Sequence, residues 1–165
     1  GNDFYARVIE AANEDTRIVI DTNSPALRPA LEFGVYLLKP NARELGDLVG
    51  HTVEGRQEIE EVSKQFIAER KAEVIVTSLG AGGSIVVAEG ICTRVPAPPV
   101  KVESKVGAGD SMVAGLVLAL DRGESILDAV RYGTAAGAAA VMDAETGLGS
   151  REHVDRLYEQ LQAEA

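Results

Sequence analysis

Cysteine is nearly missing from this chain: Cys92 is the single one in 165 residues. It cannot close an internal disulfide, so a reducing compartment is expected, and between apolar and charged neighbours it reads as a packing residue of a strand. Long apolar runs are missing too. The longest nearly uncharged stretch, Tyr132 to Met142, is Ala-rich and too short to span a bilayer, and no signal peptide is in view, so a cytoplasmic protein without membrane contact is expected. Positive charge is in deficit: 16 Lys and Arg face 26 Asp and Glu, a net charge of -10. That balance argues against nonspecific nucleic-acid or acidic-membrane binding, and an anionic substrate must be caught by local positive features. The two histidines, His51 and His153, stand isolated, which excludes a histidine metal centre or a catalytic triad. No Gly-x-x-x-x-Gly-Lys-Ser/Thr occurs, and no glycine loop completes Gly-x-Gly-x-x-Gly, so neither a P-loop nor a dinucleotide fold is expected.

What is present is an alternation of strand-like and helix-like segments. The chain is long enough for one compact domain over residues 1–165. Phe4, Val8, Ile9 and Ala12 outline a short amphipathic helix after a possible Asp3 cap, and Arg17 to Thr22 reads as a buried strand ending in Asp21, Thr22 and Asn23. Ser24-Pro25 opens a short helix to Phe33. Val35 to Leu38 is a second strand and Val74 to Leu79 a third, with a helix from Arg56 to Arg70 between them. Glu89-Gly90 marks a hairpin joining Ser84–Ala88 to Ile91–Val95. Helices are expected over Asp110–Asp121, Ser125–Met142 and His153–Ala163, the last with Val154, Leu157, Tyr158 and Leu161 inward. Such an alternation predicts a largely parallel sheet flanked by helices.

Three stretches carry chemistry. Val106-Gly-Ala-Gly-Asp110 is a loop turning into a helix, where Gly107 and Gly109 let successive N–H groups converge and the helix adds its positive end. Asp110 is either the cap of that helix or a carboxylate placed beside an anion site. Lys39-Pro-Asn41 follows a strand; Lys39 reads either as a solvated strand-end lysine or as a cation for phosphate. Asn41 with Glu44 has the form of a capping box, and equally of an oxygen pair for a metal shell. Ser78-Leu-Gly-Ala-Gly-Gly83 is a second glycine loop. Donors, a cation, a metal anchor and a base are together what phosphoryl transfer requires.

Lys39-Pro-Asn-Ala-Arg-Glu44, Ser78 to Gly83 and Val106 to Ser111, in this order, resemble the C-terminal half of a PfkB/ribokinase-family sugar kinase, over about Ile18 to Leu161. The resemblance implies a ribokinase-like α/β fold, with the N-terminal half and the lid absent from this chain. It implies Asp110 as catalytic base, and Gly107, Ala108 and Gly109 as the anion hole. Lys39, Asn41, Ser78, Gly80, Gly83 and Gly137 would serve ATP, and Asn41 and Glu44 would act on Mg²⁺ through water. Ser104 and Val106 match backbone positions of a monovalent-cation site, making K⁺ a further candidate, although Asp143 and Gly147 depart from the pattern of the nearest branch. Pro98-Pro-Val and Tyr132 to Ala140 are most like the 6-phosphofructokinase branch, which implies fructose 6-phosphate as acceptor and fructose 1,6-bisphosphate as product. A 1-phosphofructokinase, a tagatose-6-phosphate kinase and a non-catalytic nucleotide-binding domain are the alternatives. The chain opens at Gly1 without methionine and is expected to be a fragment, inactive by itself, of a longer protein able to form homodimers.

Overall fold

The computed structural model describes residues 4–13, 15–21, 27–142 and 149–164. The expected caps Asp3 and Ser24, the strand-end residues Thr22 and Asn23, and the loop with Asp143 and Gly147 lie outside them. By its internal contacts the chain divides into two units, Gly1–Leu79 with Ile85–Thr93, and Gly80–Ser84 with Arg94–Ala165.

The first unit is built on strands. β1 (Val19–Ile20), β2 (Val35–Leu38), β3 (Ala72–Ser78), β4 (Ser84–Ala88) and β5 (Ile91–Val95) follow one another across a five-stranded sheet in chain order. β1 pairs parallel with β2 (Ile20 opposite Leu38), and β2 parallel with β3 (Leu38 opposite Ile75). Near-continuous apolar runs such as Val74-Ile-Val76 fit strands covered on both faces, as parallel sheets require. The hairpin between β4 and β5 turns at Glu89-Gly90, where Gly90 has φ +70°, and makes the sheet mixed.

Helices α1 (Phe4–Glu10), α2 (Leu27–Leu31), α3 (Ala42–Val49) and α4 (Gly55–Ala68) also belong to this unit. α4 buries Ile59, Val62, Ser63 and Phe66, one stripe at helical spacing. Ile59, Val62 and Phe66 form one core with Leu38, Leu45, Ile75 and Ile85, and each large apolar side chain fully buried contributes about 1.5–3 kcal/mol.

Two expectations are corrected here. α1 turns Ala6 and Tyr5 inward together with the expected Ile9 and leaves Phe4 and Val8 exposed, because the stripe that packs runs beside the one chosen on apolarity. Cys92 is exposed: β5 ends the sheet, its side chains alternate, and Cys92 shares the outer face with Arg94.

The second unit is helical: α5 (Ala108–Asp121), α6 (Ile126–Val141) and α7 (Arg151–Ala163). Ser125 caps α6 by accepting from the Asp128 N–H, and Ser150 caps α7 by accepting from the His153 N–H. α5 and α6 approach to backbone contact because glycines lie at the crossing. A Cβ on Gly133 would stand 2.6 Å from the Met112 carbonyl oxygen, and one on Gly115 2.8 Å from Ala136 Cβ. α7 packs on α6 through Val154, Leu157 and Leu161, with the Tyr158 ring edge-on to Tyr132 at 5.2 Å. No helix among the described residues is long and apolar enough to cross a membrane.

Candidate active site

The turn into α5 is shaped by Gly107, which takes the N-cap position in the left-handed region, φ +79° and ψ -3°. Glycine adopts this geometry freely and has no side chain with which to cap. The first α-helical bond runs from the Ser111 N–H to the Gly107 carbonyl at 2.9 Å. The N–H groups of Ala108, Gly109 and Asp110 are therefore left without a capping side chain, and they carry the positive end of a 14-residue helix. Above Gly107 and Gly109 there is room: a Cβ at either would meet nothing within 4 Å. The cradle fits an anion such as a transferring phosphoryl group.

Asp110 is the third residue of α5, exposed, and its carboxylate has no hydrogen-bond or ion-pair partner among the described residues. The reading of Asp110 as the helix cap is thereby overturned, since the cap is Gly107 and the helix begins two residues earlier than expected. A carboxylate in the first turn of a helix has the chemistry to accept a proton from a hydroxyl.

The chain leading into the turn is fastened from behind. The Glu103 and Ser104 N–H groups donate to the Val141 carbonyl at 2.8 and 3.2 Å, and the Val106 N–H donates to Ser104 Oγ at 3.2 Å. The carbonyl oxygens of Ser104 and Val106 accept no hydrogen bond among the described residues, which suits a monovalent cation. Gly137, expected to serve the nucleotide, is buried on α6, and a Cβ there would stand 2.9 Å from the Ala108 carbonyl oxygen. Its missing side chain makes room for the first residue of α5.

The Gly80–Gly82 segment forms one 3-10 turn, closed by the Gly83 N–H on the Gly80 carbonyl at 3.0 Å. Gly83 has φ +84°, and a Cβ there would stand 2.1 Å from the Val95 carbonyl oxygen, so no other residue fits. Gly80 faces open space.

In the first unit, parallel pairing of β1 and β2 sets Asp21 beside Lys39. Lys39 is only 5% exposed, and its Nζ lies 3.1 Å from Asp21 Oδ1. The solvated reading of Lys39 is therefore corrected: burial of an ammonium needs a carboxylate partner, and that partner is 18 positions away in the chain. Asn41 and Glu44 close a true capping box at the start of α3, with Asn41 N–H to Glu44 Oε2 at 2.8 Å and Glu44 N–H to Asn41 Oδ1 at 2.9 Å. Glu44 Oε1 has no partner among the described residues, a hard oxygen that suits Mg²⁺ or its water. No group of three or more His, Cys, Asp or Glu among the described residues could hold a metal ion. Ser78 closes the other side of that strand end, donating its N–H to the Pro40 carbonyl at 2.9 Å. His51 is exposed, with Nε2 3.4 Å from Glu58 Oε1.

Two site contacts escaped the sequence: the Asp21 partner of Lys39, and Arg94, which grips the second glycine loop. Only the polar strand end at Asp21 gave a signal.

Residues 2–153 match the family described as pfkB family carbohydrate kinase. The chain belongs to the pfkB family. The ATP-dependent 6-phosphofructokinase isozyme 2 of Escherichia coli K12 is 36% identical over 149 residues, covering 90% of this chain and 48% of that protein. The 1-phosphofructokinase of Haemophilus influenzae is 37% identical over 147 residues, 88% of this chain and 47% of that one. The crystal structure of Escherichia coli phosphofructokinase-2 in complex with potassium superimposes with a TM-score of 0.92 at 35% identity, over 98% of this chain and 53% of that chain. The pfkB chain described here thus spans about half the length of the curated relatives it matches. The ribokinase-like α/β fold expected from its motifs is the fold observed; a ribokinase of Arabidopsis thaliana superimposes with a TM-score of 0.83.

Proposed function

We propose that this chain is the nucleotide-handling part of a sugar kinase that phosphorylates a phosphosugar hydroxyl with ATP, converting fructose 6-phosphate to fructose 1,6-bisphosphate. The observation that carries the reading is the first turn of α5, uncapped by any side chain, with an Asp110 carboxylate that has no partner among the described residues. Asp110 takes the proton of the attacking hydroxyl, whose oxygen forms the new bond to the γ-phosphorus as the bond to the bridging oxygen of the leaving ADP breaks. The N–H groups after Gly107 stabilise the charge on the transferring oxygens, a contribution that grows in the transition state. Lys39, held by Asp21, supplies a fixed cation for the nucleotide phosphates. Ser78, Gly80 and Gly83 serve the nucleotide as well, and Gly137 serves it indirectly by letting Ala108 sit where it does. Asn41 and Glu44 would act on Mg²⁺ through water, and the ion would supply neutralisation of phosphate charge. Ser104 and Val106 would offer carbonyl oxygens to K⁺, in keeping with the potassium complex of the Escherichia coli relative.

Relatives named 6-phosphofructokinase isozyme 2 and 1-phosphofructokinase stand at nearly equal identity, so identity does not choose the acceptor. The resemblance of Pro98-Pro-Val and Tyr132 to Ala140 to the 6-phosphofructokinase branch supports fructose 6-phosphate; fructose 1-phosphate is the second reading. A tetrameric inhibited form is described for the Escherichia coli relative, and self-association of the whole protein in the cytoplasm, at least to a dimer, is part of this proposal.

Calorimetry with Mg-ATP on the 165-residue chain tests nucleotide binding. Turnover is then followed as ADP release with fructose 6-phosphate, fructose 1-phosphate and tagatose 6-phosphate. The assay uses the chain and a fusion of it to the half of the Escherichia coli relative that it does not match. Asp110→Asn is expected to leave ATP affinity nearly unchanged while lowering kcat by roughly 10²-fold or more. Undiminished turnover of the variant would remove Asp110 from catalysis.

A further inference from the structure

The second glycine loop has little of its own to hold it. Gly80, Gly82 and Gly83 leave the backbone with wide conformational freedom, and its one internal hydrogen bond is the Gly83 N–H on the Gly80 carbonyl. Gly83 is wedged against the backbone of Val95, Pro96 and Ala97, which fixes the end of the loop but not its tip. At the tip a single side chain intervenes. Arg94, on the outer face of β5, donates from Nε at 2.9 Å and from Nη2 at 2.6 Å to the Gly82 carbonyl oxygen. No other side chain among the described residues bonds to this loop.

We infer that Arg94 is a positioning residue that orders the Gly80–Gly83 turn and thereby sets nucleotide affinity; this rests on the proposed assignment of the turn to the nucleotide. Two donors from one planar guanidinium fix both the position and the orientation of the Gly82 carbonyl, which one ammonium cannot do. With the peptide plane of Gly82 fixed, the Gly83 N–H that shares it keeps its bond to the Gly80 carbonyl, and a nucleotide need not bear the entropy of ordering the turn. Arg94 is itself exposed, so this grip holds the loop and not the core.

Three chains decide the matter: the unmodified one, Arg94→Gln and Arg94→Lys. Hydrogen exchange of the peptide spanning Gly80–Gly83 is measured without ligand, Mg-ATP affinity by calorimetry, and the thermal midpoint by circular dichroism. Both variants are expected to exchange faster in this peptide and to bind Mg-ATP about tenfold more weakly, with an unaltered midpoint. Unchanged exchange in Arg94→Gln overturns the inference, as does faster exchange with undiminished affinity. Full restoration by Arg94→Lys also overturns it, because charge would then suffice without the fork. If the unmodified chain binds no Mg-ATP, the nucleotide assignment of the turn fails and this inference with it. Binding that is indifferent to Arg94 fails the inference and leaves the assignment standing.

Discussion

Replacing Gly133 by alanine tests the close approach of α5 and α6, on which the position of the α5 turn depends. The added Cβ would stand 2.6 Å from the Met112 carbonyl oxygen, 3.0 Å from Leu116 Cβ and 3.2 Å from the Leu116 nitrogen. The first of these is about 0.8 Å inside ordinary van der Waals contact, and two of the three neighbours are helix backbone that cannot rotate away. Overpacking of this kind costs about 1–3 kcal/mol, and three simultaneous contacts place Gly133 near the upper end. Against that, alanine is about 1 kcal/mol better than glycine inside a helix. The net loss is about 2 kcal/mol, or a thermal midpoint lowered by roughly 4–8 °C in a chain of this size. The matched control is Gly109→Ala in the first turn of α5, where the new Cβ meets nothing within 4 Å. It should be no less stable than the parent. Urea and thermal unfolding followed by circular dichroism read both. Were Gly133→Ala as stable as Gly109→Ala, the packing of the two helices described above would be wrong.

Asn41→Ala should cost about 1 kcal/mol in urea unfolding through loss of the capping box, and Asn41→Asp, which keeps the acceptor oxygen, should recover most of it. Stability should also fall with acid through Asp128. The Ser125 hydroxyl and then the Arg131 guanidinium hold its carboxyl below the usual value, so the unfolded chain takes up the proton first. The stabilisation is complete above the ordinary aspartate pKa and is lost as pH falls through the lowered one. Thermal midpoints between about pH 6 and pH 3 should drop less steeply in Asp128→Asn than in the parent.

Much of this was written locally. The capping box at Asn41 and Glu44 is a spacing of three residues, and both hydrogen bonds it predicts are present. Glu89-Gly90 marked its hairpin, and the motifs at Lys39, Ser78 and Val106 indicated both the family and the fold. Interactions within one turn need only neighbours in the chain, so composition and order suffice to read them. What depended on distant partners was not legible. Lys39 is buried because parallel pairing brings Asp21 beside it. Cys92 faces outward because β5 ends the sheet, and α1 turns Tyr5 rather than Phe4 inward because of where the core lies. The sequence by itself determined the chemistry available at the start of α5: two glycines and a carboxylate. Tertiary structure decided that Gly107 takes the cap and leaves Asp110 without a partner among the described residues, and that Gly137, lacking a Cβ, gives the Ala108 carbonyl room that no other residue would leave.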